Sequence, residues 1–236
     1  MLAMTKNYTH TTENPLTQAH EDYLKAIYLL ESNGELVSNS ALAQHMGFAP
    51  ASATNMVKKL AELQLVTYEP YRGVELTALG RQVALEVLRH HRLIELFLHQ
   101  TLDMSWDRIH DEADRLEHVI SEAMEDAMAA VLGNPTIDPH GDPIPSKEGH
   151  VHKTPGFPLA SAPAGEALCL IRVLTQDPEK LSYLGSLGLY PDAAIVLRER
   201  APFDGPLLVE VNGNPHAVAY EMGECLQVVA AESVLA

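Results

Sequence analysis

SALAQHMGFAPASATNMVKKLAEL, residues 40–63, followed at 65–77 by LVTYEPYRGVELT, sets the fold class of this chain. Ser40 is suited to N-cap a short helix, Ala41 to Met46, that turns Leu42, Ala43 and Met46 inward. Gly47-Phe48-Ala49 makes a turn, and Pro50 starts a second helix running to about Leu63. Two helices joined by a short glycine-containing turn form a helix-turn-helix. Leu65–Tyr68 and Val74–Thr77 then read as strands around a tight hairpin at Glu69–Gly73, which adds a wing. In a winged helix the N-terminal end of the second helix reaches base edges in the major groove. Ala51, Ser52, Thr54 and Asn55 lie at that end, and Asn55 has the donor and acceptor needed to read adenine. Lys58, Lys59 and the wing's Arg72 are the expected phosphate contacts.

Working outward, Tyr23, Leu24, Ile27, Tyr28 and Leu30 recur with helical spacing and predict a helix over Thr17–Glu31, stopped by Asn33-Gly34. The dozen residues before it are polar and read as frayed. Thr77–Leu102 reads as one long helix. Ser105 caps a further helix ending at Gly133-Asn134-Pro135. Ala113, Leu116, Ile120, Met124, Met128 and Val131 give that helix an apolar face, which suits a core or a dimer interface equally. Residues 134–165 hold seven prolines and four glycines and read as a loop-rich connection. Five short strands follow at Ala167–Leu174, Ala193–Arg200, Leu207–Val211, Ala217–Tyr220 and Leu226–Ala230, interrupted by a helix at Pro178–Ser186. They suggest a small barrel. The expected domains are 1–80, 81–148 and 166–236, with a linker at 149–165. The fold class is mainly α with a small β domain.

The second informative stretch is HDEADRLEH, residues 110–118, preceded at 91–95 by HRLIE. In one continuous helix His110, Asp114, Glu117 and His118 share a face, and His91 and Glu95 pair one turn apart. Imidazoles and carboxylates concentrated on one face suit a divalent transition metal, which relieves the repulsion among the carboxylates. The same run also reads as the solvated face of an amphipathic helix.

The formal net charge of −16 argues at first against nucleic acid. Its distribution tells more: residues 1–80 carry −3, 81–148 carry −8 and 149–236 carry −5. The excess acidity coincides with the candidate metal ligands, and the head is nearly balanced. Two distant cysteines, Cys169 and Cys225, fit no disulfide framework or thiolate metal site. With no apolar leader and no run approaching the ~20 residues of a membrane helix, a cytoplasmic protein is expected.

These features together resemble the family of metal-dependent repressors that includes the diphtheria toxin repressor, the mycobacterial iron regulator and bacterial manganese transport regulators. The likeness is carried by EDYLKAIY (21–28), PASATNMVKKL (50–60), YEPYRGVELT (68–77), HDEADRLEH (110–118) and DPHGDPIP (138–145). It implies a winged-helix DNA-binding domain, a helical dimerisation domain and a C-terminal SH3-like barrel. Carried across, a primary metal site would comprise Asp22, Asp114, Glu117 and His118. Iron-responsive members have methionine and cysteine at the Asp22 and Asp114 positions. Oxygen ligands at both favour Mn²⁺ over Fe²⁺. Lys25 stands where two-domain manganese regulators place a second carboxylate, which argues against their closely spaced binuclear cluster. A second site would comprise His91, Glu95 and His110, or Glu95, Asp138 and His140, with Asp177 completing either. His150, His152 and His216 receive no role.

The expectation is a homodimeric repressor, activated by about two ions per chain, that binds double-stranded operator DNA and controls metal-homeostasis genes. One alternative is a DNA-binding regulator whose metal sites are structural and always filled. A metal-dependent hydrolase is the rival from another class, but no nucleophile motif or phosphate loop accompanies the cluster. An enzyme is therefore not expected.

Overall fold

The computed structural model describes residues 16–31, 36–152 and 155–234, in two units divided between Leu88 and Arg89. In the first unit α1 (Gln18–Leu30), α2 (Asn39–His45) and α3 (Pro50–Glu62) precede an antiparallel ribbon of β1 (Val66–Glu69) and β2 (Gly73–Leu76). Apolar residues three and four apart bring one stripe of each helix inward. Leu24 and Ile27 of α1, Leu42 of α2, and Ala53, Val57 and Leu60 of α3 are buried together with Val74 of β2. The polar first dozen residues and Asn33-Gly34, read as the stop of α1, lie outside the described residues.

Thr17 caps α1 in a reciprocal box with His20, whose Nδ1 accepts the Thr17 N–H at 3.1 Å. For α2 the cap is Ser38 rather than Ser40: its hydroxyl accepts the Ala41 N–H, three residues on, at 3.1 Å. Ser40 falls inside the first turn. The wing pairs Val66 with Leu76 and Glu69 with Gly73. Its tip residue Tyr71 is fully exposed, with φ +67°. The long helix α4 (Ala78–Leu102) starts against this ribbon. At Gly80 a Cβ would stand 1.9 Å from the Leu65 carbonyl oxygen, so only glycine permits the approach.

In the second unit, from Arg89 onward, the expected single helix after Ser105 is two. α5 (Ile109–Leu116) follows a turn at 106–108 and is itself followed by a turn at 117–119. Ser105 caps nothing. Ser121 does, accepting the Met124 N–H at 3.3 Å to open α6 (Glu122–Val131), with Glu122 and Glu125 in its first turn. That start signal lies within the apolar stripe on which the one-helix reading relied. The stripe divides accordingly: Ala113 and Met128 are buried, whereas Leu116, Met124 and Val131 are exposed.

The C-terminal part is a small SH3-like β domain: β3 (Phe157–Pro158), β4 (Ala167–Val173), β5 (Ala194–Arg200), β6 (Leu207–Val211), β7 (Asn214–Val218) and β8 (Leu226–Ala230). They form one antiparallel sheet in the order β3-β8-β4-β5-β6-β7, with α7 (Pro178–Ser186) after β4 and α8 (Tyr220–Cys225) before β8. Strand β7 starts earlier than expected because Asn212-Gly213 makes a two-residue hairpin that pairs Val211 with Asn214. Alternate residues such as Leu168 and Leu170, or Val209 and Val211, point inward. They join Ile94, Leu98, Trp106 and Ile109 in one core, so helices and sheet pack as a single body.

The proline- and glycine-rich connection is ordered at its start. Asp138, His140, Asp142 and Ile144 are buried, and Val173 donates its N–H to the His140 carbonyl at 2.8 Å. Gly141 has φ +87°, and a Cβ there would stand 2.0 Å from the Ile171 carbonyl oxygen. The loop is thereby pinned against β4. Prolines and glycines here shape a tight loop rather than a spacer.

Candidate metal centre

The second half of α4 carries His91 and Glu95 inward, one turn apart, where α5 and the 138–144 loop meet it. Glu95 is 1% exposed, and its two oxygens face different partners. Oε1 lies 3.0 Å from His91 Nε2 and 3.2 Å from His110 Nδ1, and those two nitrogens are 3.0 Å apart. Oε2 lies 3.7 Å from His140 Nδ1, too far for a hydrogen bond. Neither of these atoms, nor Asp138 Oδ2, has a hydrogen-bond partner among the described residues, although all three are buried.

The surroundings select which atoms face the centre. His91 Nδ1 donates to Glu117 Oε2 at 2.6 Å and its Nε2 faces Glu95, so Nε2 is the atom that would exchange its proton for a cation. His140 Nε2 bonds the Trp106 carbonyl at 3.2 Å, and the two rings stack with centroids 5.5 Å apart. Its Nδ1 is thereby the atom turned toward Glu95. Asp138 Oδ1 accepts the His140 and Asp142 N–H groups at 2.8 and 2.9 Å, an Asx turn that leaves Oδ2 turned inward. Unpaired lone pairs in low dielectric are costly, and a cation among them removes that cost. The donor set of imidazole nitrogens and carboxylate oxygens fits a divalent metal of the manganese-to-zinc series.

Electrostatics agree. Burial opposes the charged form of His91, but the charge of Glu95 and hydrogen bonds donated to Asp114, Glu117 and Glu95 raise its pKa well above the ordinary range. For Glu95, burial works upward and is overcome by His91, with His110 and His140, so its pKa lies well below the usual range. Asp138 is the opposite case: burial first, then the charges of Glu95 and Asp142, push it up to about 7 against Arg92 and His140.

The other sequence-derived ligands fall into place unequally. Asp114 lies 3.3 Å from His91 Nδ1 and 3.7 Å from His110 Nε2. Glu117 is buried, with His118 Nε2 3.3 Å from its Oε1. Both sit in the turn after α5 rather than on a helical face, so the face argument holds only for His110 and Asp114. Asp22 lies half-buried on α1 in the first unit. Asp177 is not brought to the centre. It is exposed and caps α7, accepting the Glu179 and Lys180 N–H groups at 2.9 and 3.2 Å, and among the described residues it joins no metal-capable group. An aspartate just before Pro178 at a helix start is N-cap chemistry, which outweighs the ligand expectation. Sequence reasoning missed Trp106, Arg92 and Asp142. The Asp-Pro-His-Gly-Asp run was a legible Asx-turn signal, but nothing marks Trp106, which precedes α5 in a turn.

In the first unit Ala51, Ser52, Asn55, Lys58 and Lys59 of α3 are exposed on one end and side, as is Arg72 on the wing, where it pairs with Glu69. The Thr54 hydroxyl is engaged internally, donating to Pro50 O at 2.9 Å and accepting from Asn39 Nδ2 at 3.0 Å. It braces α3 against α2 and is not available to a base edge. Ser38, Asn39, Lys58, Tyr68 and Arg72 line a concavity between this helix pair and the wing.

A winged-helix unit, a helical domain with a buried imidazole–carboxylate centre and an SH3-like sheet define a class, the metal-dependent transcriptional regulators. Family models agree part by part. The N-terminal DNA binding domain of iron dependent repressors matches residues 15–74, their metal binding and dimerisation domain 77–146, and the FeoA domain 157–230. The chain is 31% identical to the iron-dependent repressor IdeR of Mycobacterium tuberculosis over 91% of its own length and 98% of that protein. It is 32% identical to the diphtheria toxin repressor of Corynebacterium efficiens, with 74% and 80% covered. A manganese-dependent transcriptional repressor solved in complex with manganese superposes with a TM-score of 0.82 at 35% identity, covering 89% of this chain and 99% of that one. This chain belongs to the iron-dependent repressor family.

Proposed function

We propose that the protein is a metal-activated, homodimeric repressor of metal-homeostasis genes, with Mn²⁺ as its principal effector and Fe²⁺ as the second choice. The observation that carries it is the trio of buried lone pairs at Glu95, Asp138 and His140, within a domain matched by a metal binding and dimerisation model. No sulfur belongs to the metal-capable groups among the described residues, which favours a hard-to-borderline cation. When bound, the metal supplies positive charge and a fixed coordination geometry. The chain's own part is positional. Asp22 belongs to the DNA-binding head, and Asp114, Glu117 and His118 belong to the helical domain. Ligands drawn from both would set the two α3 helices of a dimer near the ~34 Å spacing of successive major grooves. Without that link the carboxylates repel, and the heads sample unproductive spacings.

The test compares chelated protein with protein resupplied with Mn²⁺, Fe²⁺ or Zn²⁺ on DNA fragments selected from a random library. Mn²⁺-dependent, sequence-specific binding is expected. Equal binding with chelator and with Mn²⁺ would instead make the metal sites permanent structural fixtures. Metal-dependent hydrolysis without DNA binding would support the enzyme reading.

A further inference from the structure

One side chain ties the wing to both helices of the helix-turn-helix. Asn39, at the start of α2, donates from Nδ2 to Thr54 Oγ1 on α3 at 3.0 Å and to the Tyr68 hydroxyl on β1 at 3.3 Å. Sequence reasoning gives neither Asn39 nor Tyr68 a role. We propose that Tyr68 is a DNA-contact residue whose hydroxyl donates to one phosphodiester of the duplex backbone, and that Asn39 is the positioning residue that turns this hydrogen outward. The proposal rests on the DNA-binding reading above and adds a contact to it.

The direction of each hydrogen follows from what its neighbours accept. The Thr54 hydroxyl commits its only hydrogen to the Pro50 carbonyl at 2.9 Å, so toward Asn39 it can only accept. The Asn39 atom that faces it is therefore the amide nitrogen, and the second hydrogen of that nitrogen goes to the Tyr68 oxygen. Turning the amide over would lose the Pro50 bond. It would also bury an unpaired NH₂ group where an unpaired carbonyl oxygen, Asn39 Oδ1, lies now, and an orphaned donor is the worse of the two. The Tyr68 hydroxyl thus accepts from inside the fold and keeps its own hydrogen for the outside.

Outside lies the concavity between α3 and the wing, about 530 Å³ in volume. Tyr68, Lys58 and Arg72 line it with the Ser38 and Ser40 residues of the α2 start, and no carboxylate does. In a chain of net charge −16 this is a donor-rich, cationic hollow, and it suits a monoanion that only accepts. A backbone phosphodiester is such a group. Arg72 is engaged by Glu69, but the two side chains are 71% and 46% exposed, so the pair is weak and a phosphate can take the carboxylate's place. A contact of this kind fixes the register of α3 on the duplex without reading sequence.

The experiment titrates the full-length, Mn²⁺-loaded protein against a DNA fragment selected from a random library and against an unselected one, over a range of salt. Tyr68→Phe removes one hydrogen-bonding group and keeps the ring. It should weaken binding to both fragments about tenfold and leave the salt slope unchanged, because a neutral donor displaces no counterion. Lys58→Ala should instead lower the slope by about one per subunit. On fragments with a single neutral methylphosphonate walked along each strand, Tyr68→Phe should lose the wild type's sensitivity at one phosphate per half-site. Asn39→Ala should lose as much affinity as Tyr68→Phe, and the double variant no more than either, since the two side chains act as a unit. Should Asn39→Ala fail to fold, Thr54→Val, which unties Asn39 from α3, takes its place with the same expectation. Unchanged binding by Tyr68→Phe, a loss confined to the selected fragment, or a walk with no altered position overturns the phosphate contact. Additive losses in the double variant overturn the positioning role of Asn39. A wild type that binds neither fragment defeats the repressor reading and this contact with it, whereas a wild type that binds while Tyr68→Phe matches it defeats the contact alone.

Discussion

Single residues in this protein act through the proton or lone pair they present. His118 offers one ring nitrogen from the turn after α5. His118→Ala should abolish metal-dependent DNA binding while the dimer persists, which operator titration beside sedimentation will show. Unchanged metal dependence would remove it from the ligand set. Asp138 presents a sharper case because its pKa is raised to about 7, with burial the largest cause. An acid raised on folding is more protonated in the native state, so apoprotein stability should fall as pH rises from about 4 to about 7. Metal must displace that proton, so affinity should increase with pH up to about 7 and then level. Asp138→Asn should remove both trends, measured by apoprotein melting and Mn²⁺ titration across pH 5–8. At this scale the sequence was legible wherever spacing alone makes a contact, as for His91 with Glu95. It was not legible where a capping role competes, as at Asp177, or where a backbone carbonyl orients a ring, as at Trp106.

Elements are held by a few buried charges. Arg89 and His90 on α4 clamp Glu125 on α6, at 2.6 and 3.2 Å, and Arg89 also bonds the Pro145 carbonyl at 2.7 Å. Burial alone would raise Glu125, but these partners bring its pKa down to about 2. A depressed carboxylate contributes stability that is present above its unfolded pKa and lost as pH falls through the folded one. The clamp should therefore weaken between about pH 4.5 and 2, with on the order of 3 kcal/mol at stake. Glu125→Gln should be less stable at neutral pH and should flatten that acid limb in denaturant melts. An acid limb equal to wild type would show that other carboxylates set it. The element map of the head was readable because its caps and turns coincide with changes of periodicity. The α5–α6 break was not, because one apolar stripe runs through Ser121, and local capping chemistry ended the helix where periodicity alone would continue it.

For the whole molecule, charge and exposure set the terms of assembly. Residues 1–80 carry a net −3 and few cations, so phosphate attraction per subunit is small, and on the proposed reading operator affinity should require two heads acting at once. Leu116, Val119, Met124 and Val131 stay exposed on the helical domain, Val131 at 67%, on a part matched by a dimerisation model. Val131→Glu should shift the protein toward monomer in sedimentation velocity and weaken DNA binding at least tenfold, while metal counts hold. A variant that remains dimeric would place the interface elsewhere on the surface. The choice between core and interface for the apolar stripe was not available from sequence, since both require the same pattern. Once the break before α6 is known, the stripe divides into buried members, Ala113 and Met128, and exposed ones, Leu116, Met124 and Val131.

The sole tryptophan lies stacked on His140 and 4.7 Å, centroid to centroid, from Tyr190, in a buried setting. The chain thus carries a built-in optical gauge one ring away from a candidate ligand. A paramagnetic ion drawn in by His140 should quench Trp106 emission, and a diamagnetic ion such as Zn²⁺ should chiefly change its wavelength. Loading of this position can then be followed in real time without a label, separately from any event at the DNA.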